Sequence, residues 1–160
     1  MKPVIVIFLM VFVAYACGGG GNTDNSASTT TTPAETPAET PAPQDGKGVG
    51  EIKEVSLNSP LKHDMVEKGE AIYEMKCSAC HKLTDQRVVG PGWKGVTERR
   101  KPEWIMNMIT NVEVMLEKDP EAQKLLEECL TRMPNQNMSV GDARDVLEFM
   151  YANDTGTEGK

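Results

Sequence analysis

Residues 60–152 are expected to fold as an all-α domain of about four helices, preceded by a disordered linker. Three observations predict this. Apolar residues recur at helical spacing in separate stretches of the C-terminal two thirds of the chain. Helix-start signatures stand at Pro102, at Asp119-Pro120-Glu121 and at Ser139-Val140-Gly141-Asp142. No stretch shows a convincing strand alternation.

Taken in order, residues 1–16 read as a secretion signal. Lys2 gives the positive start, and the apolar run from Val4 to Ala16 is too short to span a bilayer. The run stops at Ala14-Tyr15-Ala16-Cys17, followed by four glycines, which resembles a lipoprotein cleavage site with Cys17 as the lipidated residue. The rival is an ordinary signal cut after Ala16. Residues 17–59 form the linker. Thr29 to Thr32 and a repeated Thr-Pro-Ala-Glu lead through Pro33, Pro37, Pro41 and Pro43, which oppose helix and central strand. The first helix carries Met65, Val66, Gly69, Ile72 and Tyr73 and ends near Lys76. Residues 83–101 read as an irregular loop. Pro102 suits a first helical position, followed by Trp104, Ile105, Met108 and Ile109 on one face. A third helix starts at Asp119 and runs to about Leu130. A loop spans residues 133–138, and the box at Ser139 opens a last helix whose apolar positions are Ala143, Val146, Leu147, Phe149 and Met150. Residues 153–160 are expected to be a flexible tail.

A folded part of about 95 residues is marginal on its own. The net charge of −7 and pI near 4.9 argue against nucleic acid as a partner. Among the four cysteines, Cys129 is most simply a small buried hydrophobe.

The deciding motif is Cys77-Ser78-Ala79-Cys80-His81. Two thiols and an imidazole at this spacing form an attachment site for one covalent haem c. Each thiol adds across one porphyrin vinyl group, and two intervening residues set the thiols far enough apart to reach both. His81 then follows as the proximal iron ligand. A zinc or redox CxxC is the competing reading, but zinc needs further Cys or His nearby, and apart from Cys17 in the export signal the chain offers only His63 and Cys129. For the second axial position the favoured donor is Met133, which precedes Pro134 in a polar loop. Met138, His63 or an open position are the alternatives.

Over nearly all of residues 64–152 the chain resembles class I c-type cytochromes. "KGEAIYEMKCSACH" is similar to that family's first helix and haem site, "VGPGWKGVTERR" to the loop after it, and "RMPNQNMS" to its axial-methionine loop. The resemblance implies a cytochrome c fold, with Gly69 and Tyr73 crossing the last helix closely at Val146, Phe149 and Met150. It implies that the Pro91 carbonyl accepts the His81 Nδ1 proton, that Trp93 packs on the haem, and that Arg99 lies near a propionate, with Arg100 as the competitor. Trp104 is a further candidate haem contact. Residues 111–130 form an acidic, insertion-like segment that shapes a partner surface or covers the haem edge.

The function expected is that of a single-haem electron carrier with no substrate turnover, passing electrons between redox proteins. The acidic charge allows docking to a basic patch on a partner. The lipid anchor places it on a bacterial membrane, facing the periplasm, with Gly18 leaning to the outer membrane. Its acceptor would be an anaerobic reductase, nitrous oxide reductase among them, or a terminal oxidase. No small-molecule substrate is expected. The alternative is a haem-based gas-binding or sensor domain with an open axial site.

Overall fold

The structure, a computed structural model, describes residues 45–157. The expected signal, the lipidation site at Cys17 and the linker as far as residue 44 lie outside the described residues, as does the tail beyond 157. The described chain belongs to the compact unit Glu39–Lys160. It is all-helical, with six helices: α1 (His63–Lys76), α2 (Val96–Arg99), α3 (Pro102–Thr110), α4 (Val112–Lys118), α5 (Pro120–Cys129) and α6 (Val140–Thr155). An isolated antiparallel bridge joins His81 to Arg87. No helix among the described residues is long and apolar enough to cross a membrane.

The helix boundaries follow local chemistry. Pro102 and Pro120 open α3 and α5 without losing an amide donor that the helix needs. Asp119 Oδ1 accepts from Ala122 N at 2.9 Å, and Ser139 Oγ accepts from Asp142 N at 3.0 Å. Gly156 ends α6 in the left-handed region, at φ 63°.

α1 and α6 cross at Gly69. A Cβ at this position would run into the Asp145 carbonyl and stand 2.8 Å from Phe149 Cβ, so only glycine permits the approach. One turn on, the Tyr73 and Phe149 rings lie 5.5 Å apart. α3 packs on the other flank of α6. Ile105 and Met106 of α3, Met115 of α4 and Val146 and Leu147 of α6 belong to one buried core. Burying each such side chain contributes about 1.5–3 kcal/mol.

The structure departs from the sequence reading in four places. α2 and α4 raise the helix count above the expected four. α2 stands inside the stretch read as loop because Asp154, far away in sequence, caps it. Its carboxylate accepts from Gly95 N at 2.6 Å, and from Thr97 N at 2.9 Å and Thr97 Oγ1 at 2.7 Å. That cap also corrects the tail, since α6 runs through Thr155 and Asn153 donates to the Leu83 carbonyl at 3.3 Å. Finally, the folded part begins well before residue 60. Val49, Ile52 and Val55 pack on the core. The buried Asn107 amide accepts from Ile52 N at 3.1 Å and donates to the carbonyls of Ile52 and Lys47 at 2.9 and 3.1 Å. The residues from 45 to 59 are therefore a strap on α3, not linker.

A second long-range tie fixes α1. Glu148 is fully buried, paired with Arg144 at 2.5 Å. Its Oε1 accepts from Lys62 N at 2.9 Å and from Asn58 Nδ2 at 3.1 Å, at the start of α1. A carboxylate placed there is favoured by the helix dipole as well as by its bonds.

Candidate haem site

The motif residues leave α1 in a tight turn. Cys77 N and Ser78 N both donate to the Tyr73 carbonyl at 2.9 Å, and His81 N donates to the Cys77 carbonyl at 2.9 Å. The turn places Cys77, Cys80 and His81 together on the wall of a cavity of about 610 Å³. α3 supplies Trp104, Ile105, Met108 and Ile109 to the opposite lining, and α6 supplies Val146 and Met150. Leu116 of α4 and Leu125 and Leu126 of α5 complete an apolar wall, with Met133 and Met138 both on the lining.

His81 is fixed from two sides. Its Nδ1 lies 2.8 Å from the Pro91 carbonyl oxygen. A carbonyl can only accept, so Nδ1 carries the hydrogen and Nε2 keeps its lone pair. Tyr73 Oη donates to the His81 carbonyl at 2.9 Å, holding the backbone beneath the ring. Burial pushes the imidazole pKa below its usual value, opposed by the bond to Pro91, so the neutral, electron-donating ring is favoured. Burial also pushes the Cys77 thiol up to about 11, partly offset by Lys76. Gly90 stands so close to the ring that a Cβ there would fall 2.8 Å from Nδ1 and 2.9 Å from Nε2.

The remaining candidates take distinct places. Trp93 lines the cavity with its ring 5.5 Å from His81 and 5.0 Å from Tyr73, tilted against both. Trp104 is buried on the lining, and its Nε1 donates to Asp119 Oδ1 at 3.0 Å, so that hydrogen is already used. Arg99 reaches the rim while its guanidinium donates to the carbonyls of Lys94 and Gly92. Arg100 also reaches the rim, stacked 4.7 Å over the Trp104 ring and paired with Glu121 at 2.9 Å. Cys129 stands on the lining as a free, half-buried thiol. His63 is elsewhere, on the exposed start of α1, 3.4 Å from Glu67.

The donor set fits a covalently held haem. Two thiols and an imidazole with a free Nε2 lone pair face one apolar space, and basic side chains stand at its rim. Among the described residues, no group of three or more His, Cys, Asp or Glu side chains is placed to hold a bare metal ion. The sequence reading left open whether residues 111–130 cover the haem edge and named neither α4 nor the leucines of α5; Ala122, Leu125, Leu126 and Cys129, three or four residues apart, carried the signal.

Comparison with known proteins agrees with this geometry. Residues 66–153 match the family model described as cytochrome c. A solved cytochrome c from Rhodothermus marinus is 33% identical, with a TM-score of 0.65, covering 68% of this chain and 92% of its own. An engineered cytochrome c from the same organism is 33% identical, with a TM-score of 0.63, over 66% of this chain and 91% of its own. A further engineered form, bound to a carbene intermediate, is 32% identical, with a TM-score of 0.61, over 66% and 91%. No curated protein matches the chain.

Proposed function

Because this chain belongs to the cytochrome c family and is a haem-based electron carrier with one covalent haem c, we propose that it is a membrane-tethered shuttle. It would pass single electrons between respiratory proteins outside the cytoplasmic membrane. The observation that carries the reading is the shared cavity: His81, with its lone pair aimed by the Pro91 bond, and the methionines of the 133–138 loop line the same space.

When bound, the haem supplies a one-electron couple at iron. Cys77 and Cys80 would hold it by thioether bonds, and His81 Nε2 would ligate the iron. Met133 is the proposed second donor. A thioether favours the reduced metal and raises the potential relative to a second imidazole. The Pro91 carbonyl and the Tyr73 hydroxyl keep His81 in one tautomer and one orientation. The leucines of α4 and α5 would lay apolar surface against the group, which disfavours the added ferric charge in the same direction. Tethering rests on the Ala14-Tyr15-Ala16-Cys17 signal, and export agrees with a haem motif of this kind. A leash raises the concentration of the carrier near membrane-bound partners.

An absorption spectrum of the oxidised holoprotein tests the axial donor. A sulfur-to-iron(III) charge-transfer band that is lost in Met133→Ala and kept in Met138→Ala supports the reading. The reverse pattern moves the role to Met138, and ready CO binding by the wild type returns the open-site alternative. Mass spectrometry of the N-terminal peptide, showing acyl chains on Cys17 or none, decides the tether.

A further inference from the structure

The chain that leaves His81 comes back to it as a narrow loop whose two arms are bonded together. Gly90 N donates to the Cys80 carbonyl at 3.0 Å, and Trp93 N to the Lys82 carbonyl at 2.8 Å. The returning arm carries two neighbours of the imidazole: the Pro91 carbonyl, 2.8 Å from Nδ1, and the Trp93 ring, 5.5 Å away. It then runs into α2, whose four residues include Val96 and Arg99 of the cavity lining. So short a helix does not hold itself. Its N-cap is Gly95, which has no side chain to close it.

The order comes from the far end of the chain. Asp154, in the last turn of α6, turns a half-buried carboxylate on this junction. One oxygen accepts from Gly95 N at 2.6 Å, and the other from Thr97 N and Thr97 Oγ1 at 2.9 and 2.7 Å. The neighbouring Asn153 amide donates to the Leu83 carbonyl at 3.3 Å, on the outgoing arm. The end of α6 therefore grips both arms. Val96 N donates to the Trp93 carbonyl at 2.9 Å, so the grip extends to the residue set against His81. Asp154 itself is not on the cavity lining.

We infer that Asp154 is a positioning residue for His81: from the end of α6 it fixes the loop that supplies the imidazole's acceptor, and through it the midpoint potential of the bound haem. This deepens the electron-carrier reading and rests on it. The sign follows from the bond. A firm contact from Nδ1–H to the Pro91 carbonyl makes Nε2 a stronger donor, which favours the ferric metal and lowers the potential. Without the carboxylate, α2 loosens, the contact weakens and the potential rises. Loss of a negative charge acts in the same direction, so position and charge must be separated.

Two substitutions in the holoprotein separate them. Asp154→Asn keeps the shape, loses the charge and sets an amide donor against the donors of the loop. Thr97→Val keeps the charge and the shape and removes one bond. Both are expected to shift the midpoint potential upward in a spectroelectrochemical titration, Asp154→Asn further. In the reduced, isotope-labelled protein, hydrogen exchange at His81 Nδ1 is expected to quicken about tenfold in Asp154→Asn. Asn107→Ala is the control, because its bonds go to residues 47 and 52 and to neither arm. Its potential and its His81 exchange should match wild type. A shift in Asp154→Asn with none in Thr97→Val assigns the effect to charge and overturns the positioning role. An equal shift in Asn107→Ala overturns it too, since any loss of stability would then move the site. Potential and exchange unmoved in both loop variants refute it and leave the carrier reading intact. A wild-type holoprotein with no reversible one-electron titration sinks the carrier reading instead. If Asp154→Asn fails to load haem, Thr97→Val decides by the same two readings.

Discussion

Gly69 and Phe149 meet where α1 crosses α6, so closely that a Cβ on the glycine would stand 2.8 Å from the Phe149 Cβ. On its other side the same atom would strike the Asp145 carbonyl, a backbone group that cannot swing away. Gly69→Ala is therefore expected to force the helices apart and to cost about 3 kcal/mol, the upper part of the overpacking range. Denaturant unfolding of the holoprotein measures it. A loss below about 1 kcal/mol would mean that the crossing is softer than its geometry.

Gly90 has the corresponding role toward His81. Adding a methyl group there displaces the ring from the Pro91 carbonyl, because the ring atoms lie within 3 Å of the new carbon. Gly90→Ala is expected to lower the yield of haem-loaded protein about tenfold, in line with losses of supporting contacts at metal ligands. The ratio of haem absorbance to protein in purified material reads this directly.

Asn107 supplies three hydrogen bonds to the strap. Asn107→Ala leaves the Ile52 amide and two carbonyls without that partner and is expected to cost about 2–3 kcal/mol, each lost bond being worth about 1 kcal/mol. Limited proteolysis should then cut between residues 47 and 58 while the haem spectrum stays that of wild type. Protection equal to wild type would show that Val49, Ile52 and Val55 hold the strap by packing alone.

Arg144→Ala strands a fully buried carboxylate. Glu148 would keep its bonds to Lys62 N and Asn58 Nδ2 but lose its ion pair. The expected loss is about 3 kcal/mol, because one member of a buried pair removed alone leaves the other uncompensated. The double variant Arg144→Met with Glu148→Leu should recover much of it, since an apolar pair of similar volume avoids burying charge. Thermal unfolding of the three proteins separates these outcomes.

What could be read ahead, and what could not, divides by distance along the chain. The starts of α3, α5 and α6 were legible because Pro102, Asp119-Pro120 and Ser139 carry their signals within a few residues. α4 was missed although Val112, Met115 and Leu116 are spaced one helical turn apart. The acidic residues around them hid the pattern, and those residues face solvent while the apolar trio packs inward. α2 gave no local signal at all, since its cap comes from Asp154. The strap looked like linker because its few apolar residues are scattered among glycines. A Cβ on Gly48 would meet Met115 and one on Gly50 would meet Asn107, and Gly48 also stands at φ 76°. At the site, the cysteine and histidine spacing picked out three residues that the structure brings together on one cavity wall. The leucine wall of α4 and α5, the stacking of Arg100 and the closeness of Gly90 to the ring depend on how distant segments meet.

The strap also sets where mechanical load enters the molecule. Lys101 Nζ grips the Asp45 carbonyl at 2.6 Å, and Asn107 clamps the next turns of chain. Tension arriving from the N-terminal side is borne first by α3, the helix that also presents Trp104 and Ile105 to the cavity. α1 and the Cys77–His81 turn lie beyond that brace, so a pull applied at residue 45 would load the cavity wall that α3 forms before it reached the residues that would hold the haem.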